Sequence, residues 1–218
     1  MPIDQIVEYY DSNFDDYCKS DFDPERREQY YNQGYEYLKD IPKYLPLDKY
    51  NIIGVEKELS FVLREDREGY EPREYPMTGF IDLLLENKET GGLVFTDHKS
   101  SGMRFSKKTG LPYKNDEEHF KAFVRQQMLY TVPYVEAGKK IEALQWNMFR
   151  TKYIKKIYWT REAYDEAYYW ALDQIHKLEQ EEKWDPHVDF FYCRNLCSYR
   201  NNCLESQSME EEDVYGWR

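Results

Sequence analysis

Five segments of the chain carry the apolar and β-branched side chains that favour β-strands. They lie at residues 52–63, 79–85, 93–99, 141–150 and 153–159. The second and third are separated by the sequence ENKETGG, which predicts a hairpin turn ending in Gly91 and Gly92. The pattern therefore predicts three consecutive strands, then an interval, then a pair of strands.

Three segments predict helices, at about 23–40, 117–130 and from 160 onward. Asp23 is the expected N-cap of the first, with Pro24 in its first turn, and Thr160 is the expected cap of the third. Pro133 is expected to kink or end the second. The third presents an apolar stripe made of Tyr164, Ala167, Ala171, Ile175 and Leu178. The order of elements predicts an α/β fold, with a central mixed β-sheet flanked by helices.

Composition limits the class of protein. The 218 residues fit one domain with a sizeable core, and no run of about 18 apolar residues is present. The N-terminus lacks the basic and apolar regions of a signal peptide, so we expect a soluble, cytoplasmic protein without membrane partners. The formal net charge of −12 argues against broad adhesion to nucleic acid, although a local groove that is basic or filled by metal remains open.

Candidate chemistry lies at the end of the third predicted strand. Because side chains alternate along a strand, Phe95, Asp97 and Lys99 share one face and His98 lies on the other. Asp82, on the neighbouring strand, reaches the same place if the hairpin register allows. Two carboxylates from adjacent strands are suitable ligands for Mg²⁺ or Mn²⁺. In the alternative interpretation Asp97 and Lys99 form only a structural ion pair.

The helix at 117–130 offers a second set of polar side chains. Gln126 and Tyr130 lie four residues apart, as do Lys121 and Arg125, so each pair shares a helix face. We predict that all four contribute to nucleic-acid binding. The alternatives are a tyrosine packed in the core and a solvated basic face.

Three motifs follow one another along the chain: G-F-I-D (79–82), V-F-T-D-H-K-S (94–100) and Q-x-x-x-Y (126–130). In this order they resemble the motifs of the RecB-like branch of the PD-(D/E)XK nucleases. The resemblance runs over about residues 50–205. It implies a restriction-endonuclease-like core, dependence on Mg²⁺ or Mn²⁺, and hydrolysis of DNA, often from ends. It further implies that Asp82 and Asp97 are metal ligands and Lys99 the catalytic lysine. Either Glu56 or Glu58 occupies a strand in which such proteins often carry a glutamate.

The resemblance also sets the expected domains and biological setting. Residues 1–50 form an N-terminal helical segment, 51–205 the nuclease core and 206–218 an acidic tail. We expect a bacterial or phage-encoded exonuclease of recombination, repair or phage DNA processing, acting on DNA with a helicase or recombination protein as partner. Many RecB-like nucleases carry an upstream helical histidine, whereas the first histidine here is His98. That difference keeps open a catalytically inactive binding or regulatory module on the same fold, and an unrelated α/β protein is the third hypothesis.

Four cysteines complete the candidate residues: Cys18, Cys193, Cys197 and Cys203. Some RecB-like nucleases hold a [4Fe–4S] cluster on one distant N-terminal cysteine and three close C-terminal ones. The resemblance therefore implies such a cluster here, although the first C-terminal spacing is one residue longer than is common in the family. Zinc, which also accepts four cysteines, and reduced thiols without metal are the alternatives.

Overall fold

One five-stranded sheet organises the fold. The computed structural model describes residues 3–18, 23–100, 102–183, 192–193 and 197–203. Its strands are β1 (Tyr50–Glu65), β2 (Arg73–Asn87), β3 (Leu93–Lys99), β4 (Ile141–Met148) and β5 (Tyr153–Tyr158). They lie side by side in chain order, with β3 and β4 parallel and every other neighbouring pair antiparallel. The predicted mixed sheet of an α/β fold is confirmed.

The first two strands are longer than their local pattern predicts. β1 and β2 pair with each other from Tyr50 opposite Asn87 to Glu65 opposite Arg73, whereas β3 pairs only with the end of β2. Backbone hydrogen bonding between them thus extends the two strands beyond the apolar segments at 52–63 and 79–85. The ENKETGG turn is present as predicted, with Gly91 at φ +65°.

Five helices accompany the sheet in the described part of the chain. They are α1 (Ile3–Tyr17), α2 (Pro24–Tyr44), α3 (Glu117–Tyr130), α4 (Val132–Glu136) and α5 (Arg161–Gln180). The Asp23 cap is confirmed, since its carboxylate accepts a hydrogen bond from the Arg26 amide. The predicted end of α2 near Asp40 was wrong by one turn, since the helix continues to Tyr44. Pro42 lacks a backbone N–H, but this removes only one hydrogen bond from the last turn.

The later helices follow their sequence signals closely. α3 ends at Tyr130, and Pro133 lies in the first turn of α4. Thr160 caps α5 through a hydrogen bond from the Ala163 amide. The predicted stripe of α5 is buried at its first three positions, but Leu178 is exposed, and Leu172 is buried instead.

The core lies on both faces of the sheet. On one face Phe120 of α3 packs edge-on against the fully buried Trp146 of β4, with ring centroids 5.0 Å apart. On the other face Leu47 and Tyr50 pack against a cluster formed by Leu83, Leu85, Val94 and Ala143. Buried aromatic and branched side chains thus hold the paired part of β2 and β3, next to which the candidate residues lie.

The chain divides into two units, residues 1–173 and 174–218. The first contains the sheet, and the second contains the end of α5 and the C-terminal cysteines. The predicted acidic tail at 206–218 lies outside the described residues, and the predicted domain boundaries stay predictions. Of the described helices, none combines the length and apolar composition needed to cross a lipid bilayer.

Candidate active site

The pairing of β2 with β3 brings Asp82 to the segment that contains Asp97. The last paired residues are Leu83 and Thr96, so the next step of the antiparallel register places Asp82 beside Asp97. At this point Asp82 Oδ2 accepts a hydrogen bond of 2.7 Å from the backbone N–H of His98. A side chain therefore replaces the ladder hydrogen bond where β3 separates from β2. This contact fixes the Asp82 carboxylate next to the Asp97–Lys99 segment.

Asp97 and Lys99 form a largely buried ion pair. Lys99 Nζ lies 2.7 Å from Asp97 Oδ2, and the two side chains are only 22% and 15% exposed. This oxygen is buried, and the Lys99 ammonium is the charged group beside it. The Lys99 ammonium also lies 4.6 Å from the centroid of the Phe123 ring. The pair is thus held by charge and by the packing of the lysine against an aromatic ring.

The electrostatics of the site favour an additional cation. Burial raises the pKa of Asp97 above its usual range, and the nearby Asp82 charge raises it further, while Lys99 and His98 act in the opposite direction. Ionised Asp97 is therefore incompletely compensated by its surroundings. Two carboxylates from neighbouring strands suit the oxygen-ligand preference of Mg²⁺ or Mn²⁺. No third His, Cys, Asp or Glu within the described residues completes such a metal-binding group.

Glu56 lies across from Asp82 on β1. Val55 pairs with Leu83 and Lys57 with Ile81, so Glu56 occupies the intervening position. Its backbone is left-handed, with φ +46°, a conformation that L-residues rarely adopt. The Glu56 charge also acts on His98. Glu56 and Glu58 are the two candidates for the glutamate that RecB-like nucleases often carry on this strand. The strand register places Glu56 nearer to Asp82 than Glu58.

His98 lies away from the carboxylates, as the strand alternation predicts. Its ring stacks on Phe149 with centroids 5.5 Å apart, and its Nδ1 lies 3.1 Å from Nδ2 of the buried Asn147. Burial lowers the pKa of His98, and the nearby carboxylates oppose this only in part. The histidine is therefore a neutral packing residue in this site, and it does not supply the missing metal ligand.

The Q-x-x-x-Y motif contacts the G-F-I-D motif through Tyr130. Gln126 Nε2 donates a 3.2 Å hydrogen bond to Tyr130 Oη. The Tyr130 ring lies directly over Gly79, where an added Cβ would be 2.5 Å from Cε1 of the ring. Gly79 is therefore needed for the close approach of Tyr130 to β2, three residues before Asp82. This contact joins the two motifs in the fold.

Lys121 and Arg125 are directed to α5. Arg125 Nε donates to Glu166 at 3.1 Å, its guanidinium lies 4.4 Å from the centroid of the Trp170 ring, and Lys121 Nζ lies 4.0 Å from Glu166. Both cations thus join α3 to α5 through one carboxylate. Their role in nucleic-acid binding stays a prediction, and Arg125 in particular is already engaged.

The cysteines remain without an assigned ligand. Cys18, Cys193, Cys197 and Cys203 are part-buried and form no disulfide. The described residues contain no cluster of cysteines positioned around one ion. Thiols of this kind retain the chemistry to bind iron or zinc once deprotonated. The [4Fe–4S] and zinc assignments stay predictions.

Comparison with known proteins gives little further information. No protein-family model matches the sequence, and no curated protein matches it. Among solved structures, one that matches is the crystal structure of a protein from Eubacterium rectale named as a candidate exonuclease. The identity is 13%, the match covers 100% of this chain and 81% of that chain, and the TM-score is 0.44.

Proposed function

We propose that this protein is a Mg²⁺- or Mn²⁺-dependent nuclease that hydrolyses DNA phosphodiester bonds. The observation that carries the proposal is the hydrogen bond from the His98 amide to Asp82, which holds one carboxylate beside Asp97 and Lys99. Two acidic groups from neighbouring strands and one ammonium therefore meet at one strand end. We further propose that it is a RecB-like exonuclease acting in recombination, repair or phage DNA processing.

Asp82 and Asp97 are the residues that would hold the metal. When bound, a hard divalent cation polarises the phosphodiester as a Lewis acid. Asp97 is held by its ion pair with Lys99, which fixes its carboxylate on the segment of β3 that Asp82 adjoins. The backbone N–H of His98 donates a hydrogen bond to Asp82 Oδ2 and so fixes the orientation of the whole carboxylate, including its second oxygen.

Lys99 would act on water and phosphate. Its ammonium carries three N–H donors, and Asp97 Oδ2, which lies 2.7 Å away, can engage only part of this donor capacity. Packing against the Phe123 ring limits the movement of the lysine side chain. Lys99 is thus positioned to orient an attacking water and to stabilise the negative charge that develops on the phosphoryl oxygens.

A cleavage assay with matched variants tests the proposal. End-labelled single-stranded and duplex DNA would be incubated with Mn²⁺ or Mg²⁺ and wild-type protein, Asp97→Asn, Lys99→Met or the control Asp48→Asn, whose carboxylate is exposed. We expect cleavage by wild type and control and a loss of at least about 100-fold in the two site variants. A folded, metal-supplied wild-type protein that cuts neither substrate would end the nuclease proposal.

One observation favours a second function, a catalytically inactive binding or regulatory module. The described residues provide two carboxylates but no third grouped ligand. Calorimetric titration with Mn²⁺ distinguishes the two, because a nuclease requires binding that disappears in Asp97→Asn. An inactive module with a degraded site shows no carboxylate-dependent binding.

The cysteines are proposed to hold a [4Fe–4S] cluster, with zinc as the alternative. The support is the resemblance of their spacing to that of iron–sulfur nucleases, together with four thiols that form no disulfide. Anaerobically purified protein should then show a broad absorbance band near about 400 nm, which thiolate-ligated iron gives and zinc does not. A colourless protein containing stoichiometric zinc would favour the alternative. A helicase or recombination partner is likewise a proposal.

A further inference from the structure

The segment that follows Lys99 is unlike the rest of this acidic protein. From residue 98 to residue 115 there is no Asp or Glu, although the chain as a whole has a net charge of −12. The same segment contains Arg104, Lys107, Lys108 and Lys114. Positive charge is thus concentrated immediately after the candidate active site.

Residues 104–113 of this segment fold into a defined loop. Phe105 pairs with Pro112 in an isolated β-bridge, and the Ser106 amide donates a 2.8 Å hydrogen bond to the Leu111 carbonyl. Lys155 of β5 donates a 2.6 Å hydrogen bond to the Gly110 carbonyl, which ties the loop to the sheet. A preformed loop loses less conformational entropy when it binds a ligand.

This basic loop (residues 104–113) lines a cleft of about 940 Å³ with part of β5. Its side chains combine cations with aromatic rings: Arg104, Lys107, Lys108, Phe105, Tyr113 and Tyr153. Tyr113 and Tyr153 are 54% and 41% exposed. Within the described residues, none of the three cations forms an ion pair with a carboxylate, so all three remain available for a negatively charged ligand.

The cleft lies close to the candidate active site. Lys99 pairs with Met148 on β4, and Met148 pairs with Tyr153 on β5. Tyr153 is thus two strand spacings from Lys99, or about 10 Å. That distance corresponds to about three phosphates at the ~3.4 Å spacing of one stacked strand.

We propose that the cleft binds an unpaired segment of a DNA strand and leads it to Lys99, a placement that rests on the proposed nuclease function. The cations match the phosphates, and the exposed rings provide surfaces on which bases stack. Inside a duplex both faces of each base are covered by the neighbouring bases, whereas the bases of a single strand can separate and stack on aromatic rings. The combination therefore selects single-stranded over duplex DNA.

The test measures binding with metal chelated by EDTA, so that it does not depend on cleavage. Fluorescence anisotropy would compare a labelled oligothymidylate with a blunt hairpin duplex. The charge variant is Arg104→Ala/Lys107→Ala/Lys108→Ala, and the aromatic variant is Tyr113→Leu. The matched control, Lys88→Ala/Lys139→Ala/Lys140→Ala, removes three exposed cations at the opposite end of the strands.

We expect the charge variant to bind oligothymidylate at least about tenfold more weakly, with the slope of log K against log salt reduced by about 2, or 0.7 for each of three phosphate contacts. Tyr113→Leu should weaken oligothymidylate binding by about tenfold and leave hairpin binding unchanged. The control triple should bind as wild type does. Circular dichroism melting confirms that each variant is folded, and all the altered residues are exposed.

The proposal is overturned if wild type does not bind oligothymidylate, if the charge variant binds as wild type does, or if the control loses as much affinity. Equal loss of hairpin and oligothymidylate binding in Tyr113→Leu would overturn the selection for single strands. Failure of the nuclease function gives a different result: no cleavage by wild type, with the binding losses still present. Cleavage without the binding losses would reject the cleft alone.

Discussion

The contact between Gly79 and Tyr130 gives a prediction with a magnitude set by the structure. A Cβ at position 79 would lie 2.5 Å from Tyr130 Cε1 and 2.9 Å from Cζ, whereas ordinary contacts begin at 3.4 Å. In Gly79→Ala the ring must therefore retreat by about 0.9 Å, the difference between 3.4 and 2.5 Å. Overpacking of this kind costs about 1–3 kcal/mol of unfolding free energy. For a chain of this size that lowers Tm by about 2–12 °C.

A double-mutant cycle isolates the contact. Unfolding by urea would be measured for Gly79→Ala, Tyr130→Ala and the double variant, with Gly102→Ala as control because an added Cβ there meets no atom within 4 Å. We expect Gly79→Ala to destabilise the wild type but to have little effect once Tyr130 is alanine. DNA cleavage by Gly79→Ala should also fall, by up to about 100-fold, since a displacement of this size at a positioning residue is sufficient.

The predicted clash is refuted if Gly79→Ala lowers the free energy of unfolding equally with and without the Tyr130 ring, so that the coupling energy is below about 0.5 kcal/mol. It is also refuted if Gly102→Ala is as destabilising as Gly79→Ala. In either case the close approach would not be the reason for glycine in this motif.

Three further predictions concern buried or strained groups. Because burial and the charge of Asp82 raise the pKa of Asp97, ionisation of this carboxyl group opposes folding. In EDTA, Asp97→Asn should therefore have a higher Tm than wild type at pH 7, and the difference in Tm should shrink as the pH falls through the raised pKa. A variant that is less stable than wild type at pH 7 would contradict this prediction. Glu56→Gly should raise the free energy of unfolding by about 1 kcal/mol, because it removes the cost of an L-residue in the left-handed conformation. The same variant should bind Mn²⁺ more weakly in calorimetry if the carboxylate assists the site, and a loss of stability would contradict the strain argument. Arg67→Met should lower the free energy of unfolding, measured with urea, by about 3–5 kcal/mol, because it removes the cation that lies 2.6 Å from the fully buried Glu65 carboxylate. Adding Glu65→Gln to this variant should restore part of that loss.

Local signals determined some elements well. β3 and α3 lie where the sequence predicts, at 93–99 and 117–130, because a glycine turn precedes the one and a proline follows the other. The sequence predicts a helical segment over residues 1–50, but it gave bounds only for the helix at 23–40 and none for α1. Its packing is tertiary, with Tyr10 stacking on Tyr31 of α2 at a centroid distance of 5.6 Å. A contact across 21 residues is not visible in a window of local pattern.

The same distinction holds in the candidate site. Strand alternation and the short turn at 88–92 place Asp82 and Asp97 on neighbouring strands from the sequence, whereas the hairpin register that brings them together is seen only in the structure. The destination of Arg125 could not, because Glu166 lies 41 residues further along the chain. The left-handed backbone of Glu56 also had no local signal, because glycine or asparagine would be the expected residue at such a position.

The net charge of −12 and DNA binding are compatible if charge acts locally. α1 contains five carboxylates and no Lys or Arg, whereas residues 98–115 contain cations and no carboxylate. At about 0.15 M salt the Debye length is ~8 Å, so phosphates in the cleft respond to the basic loop and little to distant acids. At about 0.01 M it is ~30 Å, and the whole acidic molecule then repels DNA. The plot of log K against log salt for oligothymidylate should therefore flatten at low salt, and a slope that stays constant down to 0.01 M would show that the acidic residues do not oppose binding.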